Sequence, residues 1–211
     1  GIPIDWDDEH KMHTATLALS ETQTGRNFEN REDSIGLNGI GASGVNYCSE
    51  YFRLRIRRDG QEFYQEFSED LETDTLKIDS PVIIPYSGTD TGTRIDFKLS
   101  TTVFNDLTMS ENFVKNRIIE IAACNPLVKF IFNGEKITSK ATPDKTLFAQ
   151  EKPINILIQN KENKFRSQFY ILPYFNEDGS EHDESFVNNI PTFKGGTHID
   201  SFKRLFYNGL L

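Results

Sequence analysis

Apolar and charged side chains alternate through Phe52-Arg53-Leu54-Arg55-Ile56-Arg57-Arg58, and this period of two predicts a β-strand with Leu54 and Ile56 turned inward. Asp59-Gly60 closes a hairpin onto a second strand over 62–67, and a further alternating strand is expected over 91–99. Helical patterns interrupt the strands. Residues 10–20 carry Met12, Ala15, Leu17 and Leu19 and predict one helix; a shorter one is expected at about 42–51. Thr108 and Glu111 have capping-box spacing, N-cap and N3, ahead of a helix with Val114, Ile118, Ile121 and Ala122 on one face. A strand at 127–132 turns at Asn133-Gly134, strands follow at 154–158, 168–172 and 185–189, and a helix at 199–211 carries Phe202, Leu205, Phe206 and Leu210. Strands interleaved with helices, several joined by hairpins, predict an α+β sandwich with helices on one face of a mixed sheet.

Thr, Ser, Lys, Pro and Asp dominate 138–153, the composition of a connection, which places a domain boundary near 150 and divides the chain into 1–150 and 151–211. Some 60 residues with one terminal helix are few for an independent core, so the second unit reads as cut short. The first residue is Gly rather than Met, which suggests a fragment or a processed product.

With 23 Lys and Arg against 32 Asp and Glu, the 211-residue chain has no overall electrostatic footprint for nucleic acid. The arginines at 53, 55, 57 and 58 read as a solvated strand face. Cys48 and Cys124 are isolated and lack metal-ligand spacing, which suits a reducing, cytoplasmic compartment. No apolar run reaches the ~18 residues of a membrane span, and no signal-peptide pattern opens the chain. Asp5, Asp7, Asp8 and Glu9 read as a solvated acidic loop.

The candidate chemistry lies in Gly36-Leu37-Asn38-Gly39-Ile40-Gly41-Ala42-Ser43-Gly44. Glycines let backbone N–H groups curl around an anion, and a following helix adds its positive end. A P-loop needs Lys-Ser/Thr after the last glycine, but Ala42 and Ser43 follow Gly41. The order G-x-x-G-x-G also departs from the dinucleotide fingerprint. A long polar loop, 21–34, leads into this cradle, and loops of that length often serve as lids or binding loops.

Separated motifs then fall in order: Gly1-Ile2-Pro3, the glycine cradle, Thr91-Gly92-Thr93, and Val187-Asn188-Asn189-Ile190 followed by Gly195-Gly196-Thr197-His198. Across essentially the whole chain this order resembles the ATPase subunit of type IIA DNA topoisomerases, such as gyrase B, topoisomerase IV B, phage large subunits and the N-terminal region of eukaryotic topoisomerase II. Asn38 stands where gyrase usually has histidine, as in the eukaryotic and phage enzymes. The resemblance implies a GHKL (Bergerat) ATP-binding α/β sandwich followed by the start of a transducer domain of the ribosomal S5 domain 2 type.

It also implies ATP and Mg²⁺ as cofactors. Gly1, Ile2 and Pro3 would line the adenine pocket, and the loop at 21–34 would form part of the ATP lid. The backbone of Gly36, Leu37, Asn38, Gly39, Ile40 and Gly41 would hold the triphosphate, and the Thr93 hydroxyl would support adenine recognition through water. Gly195 to His198 would help couple nucleotide state to domain movement. Implied partners are DNA, a second copy on ATP binding, and the DNA-cleaving subunit or domain, with no membrane.

The family's glutamate general base, Mg²⁺-holding asparagine and adenine-recognising aspartate would precede Gly1, and its γ-phosphate lysine would follow Leu211. No catalytic or metal-ligating residue is therefore assigned, and the isolated chain is expected not to turn over ATP. Other GHKL ATPases, of the heat-shock chaperone or MutL type, and a non-catalytic module of the same fold are the alternatives.

Overall fold

The computed structural model describes residues 1–22, 39–125, 128–137, 154–160, 165–171, 185–187 and 190–210. Its backbone divides into two compact units, Gly1–Thr108 and Met109–Leu211. The connection at 138–153 and the polar loop from residue 23 onward lie outside the described residues.

In the first unit an extended segment precedes a small hairpin, β1 (Trp6–Asp7) and β2 (Met12–His13), then helices α1 (Thr14–Ser20) and α2 (Gly41–Tyr47). The helix expected over 10–20 begins only at Thr14. Lys11 turns at φ 56° and Met12–His13 pairs back onto Trp6–Asp7, so Met12 belongs to the hairpin. The helix expected over 42–51 likewise ends at Tyr47, because strand pairing takes over at Ser49.

Strands β3 (Ser49–Arg58), β4 (Gln61–Asp70), β5 (Thr75–Ile78), β6 (Val82–Pro85) and β7 (Gly92–Leu99) form one sheet in the order β5-β4-β3-β7, with β6 also paired to β4. Its ladders are antiparallel rather than mixed. Asp59 and Gly60 both take positive φ, 52° and 71°, the conformation that joins right-twisted strands by a two-residue turn.

One face of this sheet is the core. Phe52 lies opposite Phe67, Leu54 opposite Gln65 and Ile56 opposite Phe63, and Ile4, Ala15 and Leu19 close over them. Burying each such Phe, Leu or Ile contributes about 1.5–3 kcal/mol, so these side chains dominate the unit's stability. Gln65 is buried among them with both ends used: its Oε1 accepts from the Thr16 hydroxyl at 2.7 Å and its Nε2 donates to Asp79 O at 2.9 Å.

The opposite face carries the arginines and is charge-paired. Arg53 Nε meets Glu66 at 3.0 Å, Arg57 meets Glu62 at 2.7 Å and Asp90 at 2.9 Å, and Arg94 meets Asp96 at 2.8 Å. The guanidinium groups of Arg53 and Arg57 each lie 4.5 Å over a ring, Tyr51 and Tyr86 respectively. At one edge, β6 leaves Val82 and Ile84 at least half exposed.

The second unit holds α3 (Glu111–Cys124), the hairpin β8 (Phe130–Phe132) and β9 (Glu135–Ile137), the pair β10 (Ile154–Asn160) and β11 (Phe165–Ile171), the short pair β12 (Phe186–Val187) and β13 (Ile190–Pro191), and α4 (Thr197–Leu210). The cap of α3 is Ser110, not Thr108. Ser110 is extended and its hydroxyl accepts from Phe113 N–H at 3.4 Å, so Glu111 is the first helical residue instead of N3. Thr108 N–H turns to the Asp106 carboxylate at 2.8 Å. The Asn133-Gly134 turn forms as the spacing predicts, both residues at positive φ. On α4 Phe202 stacks on Phe169 at 3.8 Å and on Phe206 at 5.7 Å, while Leu205 stays exposed.

Candidate functional site

The motif residues Gly1-Ile2-Pro3 and Thr93, some 90 positions apart, meet on the first unit. Ile2 N–H donates to Thr93 Oγ1 at 3.0 Å. Thr93 lies opposite Ile56 in the β3–β7 register, on the side of the sheet that bears the core, yet it remains exposed. A hydroxyl that accepts from a backbone N–H still has its own hydrogen to donate. The Thr93 hydroxyl therefore keeps a hydrogen to donate beside Ile2.

Gly1 lies close against the sheet. A Cβ there would sit 2.7 Å from Gly92 O and 2.9 Å from Ile56 Cγ2, so any side chain would push the segment outward. Arg58 Nη1 donates to Gly1 O at 3.2 Å while its Nε meets the Asp59 carboxylate at 2.7 Å, and this pairing holds the guanidinium's pKa above its ordinary value. Deeper in the segment, Pro3, Ile4 and Asp5 offer their carbonyls to His13 and Thr14. Sequence reasoning missed Arg58, His13 and Thr14, because no local pattern marks a side chain that bonds to a distant backbone.

Of the glycine cradle, Gly36, Leu37 and Asn38 lie outside the described residues, and Gly39, Ile40 and Gly41 are exposed. Gly39 takes φ 59°, a conformation that costs glycine little. Ile40 is the N-cap of α2 and supplies no capping side chain, which leaves the first N–H groups of the helix without intrahelical partners. The body of α2 is fixed: Asn46 Nδ2 donates to Leu19 O at 3.0 Å and the Tyr47 hydroxyl to Ser20 O at 2.8 Å. Among the described residues no hydrogen bond joins Gly39–Gly41 to Gly1–Pro3 or Thr93.

The remaining candidates have local partners of their own. Asp7 caps the β1–β2 turn by accepting from His10 N–H at 2.8 Å, which lowers its pKa and suits the solvated-loop reading. Gly195 and Gly196 take φ 66° and 155°, and Gly196 O accepts from Ile199 and Asp200 as α4 begins, so the glycines shape that helix entry. Among the described residues no group of three or more His, Cys, Asp or Glu side chains is placed to hold a metal. No described helix is long and apolar enough to cross a membrane.

Known proteins resemble the chain in sequence and in fold. A DNA gyrase B family model matches residues 128–210. The chain is 29% identical over 216 residues to the DNA gyrase B protein of Helicobacter pylori, covering 96% of this chain and 27% of the relative. It is 30% identical over 224 residues to the topoisomerase IV B protein of Francisella tularensis, covering all of this chain and 35% of that one. The chain thus spans between a quarter and about a third of the length of these relatives. Among solved structures, the topoisomerase IV ATP-binding domain of Francisella tularensis matches with TM-score 0.68 at 26% identity, over 99% of this chain and 56% of that one. The ATPase region of Saccharomyces cerevisiae topoisomerase II shares the fold, with TM-score 0.77 at 21% identity over all of this chain and 55% of that one. The fold is thus the α+β GHKL type expected from the motifs. More narrowly, the chain is similar over its whole length to gyrase B and topoisomerase IV B proteins, and residues 128–210 match the DNA gyrase B family model.

Proposed function

We propose that this chain is the ATP-binding region of a type II DNA topoisomerase. The observation that carries the reading is the Ile2 N–H to Thr93 hydroxyl contact over a floor where only glycine fits, at Gly1. It brings two separated motifs together at one exposed polar spot, whose free hydroxyl hydrogen suits an acceptor such as a purine nitrogen or a bridging water. Gly1, Ile2 and Pro3 line the base, and Thr93 donates toward it directly or through water. The cradle of Gly36, Leu37, Asn38, Gly39, Ile40 and Gly41 takes the triphosphate on backbone N–H groups. Gly39 and the uncapped start of α2 fit that role.

ATP, when bound, supplies the anhydride whose cleavage resets the protein, and Mg²⁺ is proposed only as the phosphates' counter-ion. Nucleotide binding pairs two copies into a clamp around a DNA duplex. Hydrolysis by the whole enzyme reopens the clamp, with cleavage of DNA assigned to another subunit or domain. The functional boundary is kept near residue 150, with 151–211 opening the transducer.

The test is ATP binding and ATP-dependent strand passage by the intact gene product, beside a Gly39→Val variant whose β-branched side chain opposes the positive φ at that position. The wild type should bind ATP and pass DNA strands, and the variant should lose both. Strand passage without any need for ATP would refute the reading.

A further inference from the structure

Residues 1–5 run extended yet join no strand ladder. The carbonyls of Pro3, Ile4 and Asp5 are instead taken one after another by a single dipeptide. Thr14 Oγ1 donates to Pro3 O at 2.8 Å, His13 Nδ1 to Ile4 O at 2.7 Å, and Thr14 N–H to Asp5 O at 2.8 Å. A carbonyl only accepts, so the His13 proton in this hydrogen bond sits on Nδ1.

Both donors are themselves fixed. The His13 ring lies edge-on to Trp6 at 5.2 Å and to the fully buried Phe63 at 5.5 Å. Thr14 is the first residue of α1, whose Ala15 and Leu19 belong to the core together with Ile4. The two other anchors of the segment, Thr93 and Arg58, act only on Ile2 and Gly1. Among the described residues no other hydrogen bond sets the depth of Pro3.

We propose that His13 and Thr14 are positioning residues for the base end of the nucleotide site, carrying the fixed placement of α1 into the pocket by holding Pro3 and Ile4 where Ile2 N–H meets Thr93 Oγ1. The proposal rests on the nucleotide reading above. Without the Thr14 hydroxyl, Pro3 O loses its donor and the segment is held only on either side of Pro3, by Arg58 and Thr93 at Gly1 and Ile2 and by His13 and the Thr14 N–H at Ile4 and Asp5. That hydroxyl faces the carbonyl of Pro3 rather than the base, so removing it reaches the ligand only through the placement of Gly1-Ile2-Pro3. Selectivity for one purine over another depends on that placement, since a site whose polar groups are aligned to one base leaves them unpaired against the other.

The experiment compares wild type, Thr14→Val and Thr14→Ser in the intact gene product. It titrates a non-hydrolysable ATP analogue and its GTP counterpart by calorimetry and measures urea unfolding in parallel. Thr14→Val is expected to weaken ATP-analogue binding about five-fold, the worth of one neutral hydrogen bond, and to narrow the preference over the GTP analogue. Thr14→Ser, which keeps the hydroxyl, should restore both.

A Thr14→Val protein that unfolds at lower urea but keeps wild-type affinity and preference shows a purely structural role and overturns the proposal while the nucleotide reading stands. A wild type that binds neither analogue overturns both. If Thr14→Val does not fold, His13→Phe decides on the same two readouts, because it retains an aromatic ring and removes only the donor to Ile4 O.

Discussion

The two faces of the β3–β4–β7 sheet use one backbone for opposite ends. On the inner face Phe52, Leu54, Ile56, Phe63 and Phe67 are almost fully removed from water, and the polar Gln65 among them is bonded at both ends of its amide. On the outer face each arginine meets a carboxylate or an aromatic ring, and the side chains stay partly in solvent. Strict alternation in β3 makes both faces from one stretch of sequence. The lesson is that rows of arginine need not be a binding surface: here the neighbouring strands supply matching Glu and Asp, which leaves no net positive field to attract DNA.

Breaking the inner face should cost most. Phe63→Ala is expected to lower stability by about 3–5 kcal/mol, read from urea unfolding, since it removes a fully buried ring and leaves a cavity under His13. A loss below about 1 kcal/mol would mean that the core is not where the burial places it. Gln65→Leu should cost about 1–3 kcal/mol, because it leaves the Thr16 hydroxyl and Asp79 O without partners while adding no void. A neutral or stabilising result would show that water reaches this spot and that the inner face is less dry than its burial implies.

The rim between the faces is tested by Thr93→Val. Fold stability should hold, while nucleotide affinity falls by a few-fold, the worth of about one hydrogen bond. Equal affinity would remove Thr93 from the site.

Smallest of all should be the outer face. The Arg53 guanidinium, and secondarily the Tyr64 hydroxyl, hold the Glu66 carboxyl below its ordinary value of 4.5. A depressed carboxylate stabilises the fold fully above that ordinary value and loses its contribution as pH falls through the lower folded-state pKa. Acid unfolding monitored by circular dichroism should therefore begin at slightly higher pH in Arg53→Ala, with a difference that shrinks in high salt. An outer-face variant as damaging as Phe63→Ala would dissolve the contrast between the faces.

Much of this architecture is written in local pattern. The β3–β4 hairpin follows from alternation and from Asp59-Gly60, and β7 from the same period. Strands β5 and β6 escaped notice because four residues give little period to read, and Val82-Ile83-Ile84 is continuous rather than alternating. Met12 misled because one apolar residue fits either a helix turn or a hairpin, and Ser110 took the cap because it directly precedes the first helical turn. For the candidate site, the glycine spacing suggests an anion cradle but names no ligand, because a glycine cluster serves a tight turn equally well. The family resemblance assigned Gly1-Ile2-Pro3 and Thr93 to adenine recognition but not the contact of Ile2 with Thr93, and the grip of His13 and Thr14 on the opening segment leaves no trace in composition or period. Contacts between a side chain and a backbone many positions away are set by the whole fold.

Strand β6 has a consequence for how this protein behaves in concentrated solution. Val82, Ile83 and Ile84 are consecutive, β-branched and partly exposed on a strand that pairs only with β4 among the described residues, the kind of edge that recruits other strands. Pro81 stands immediately before them and Pro85 ends the strand, each without an N–H to donate. The two prolines interrupt the row of backbone donors on either side of this adhesive stretch, so replacing either is expected to raise the tendency to aggregate.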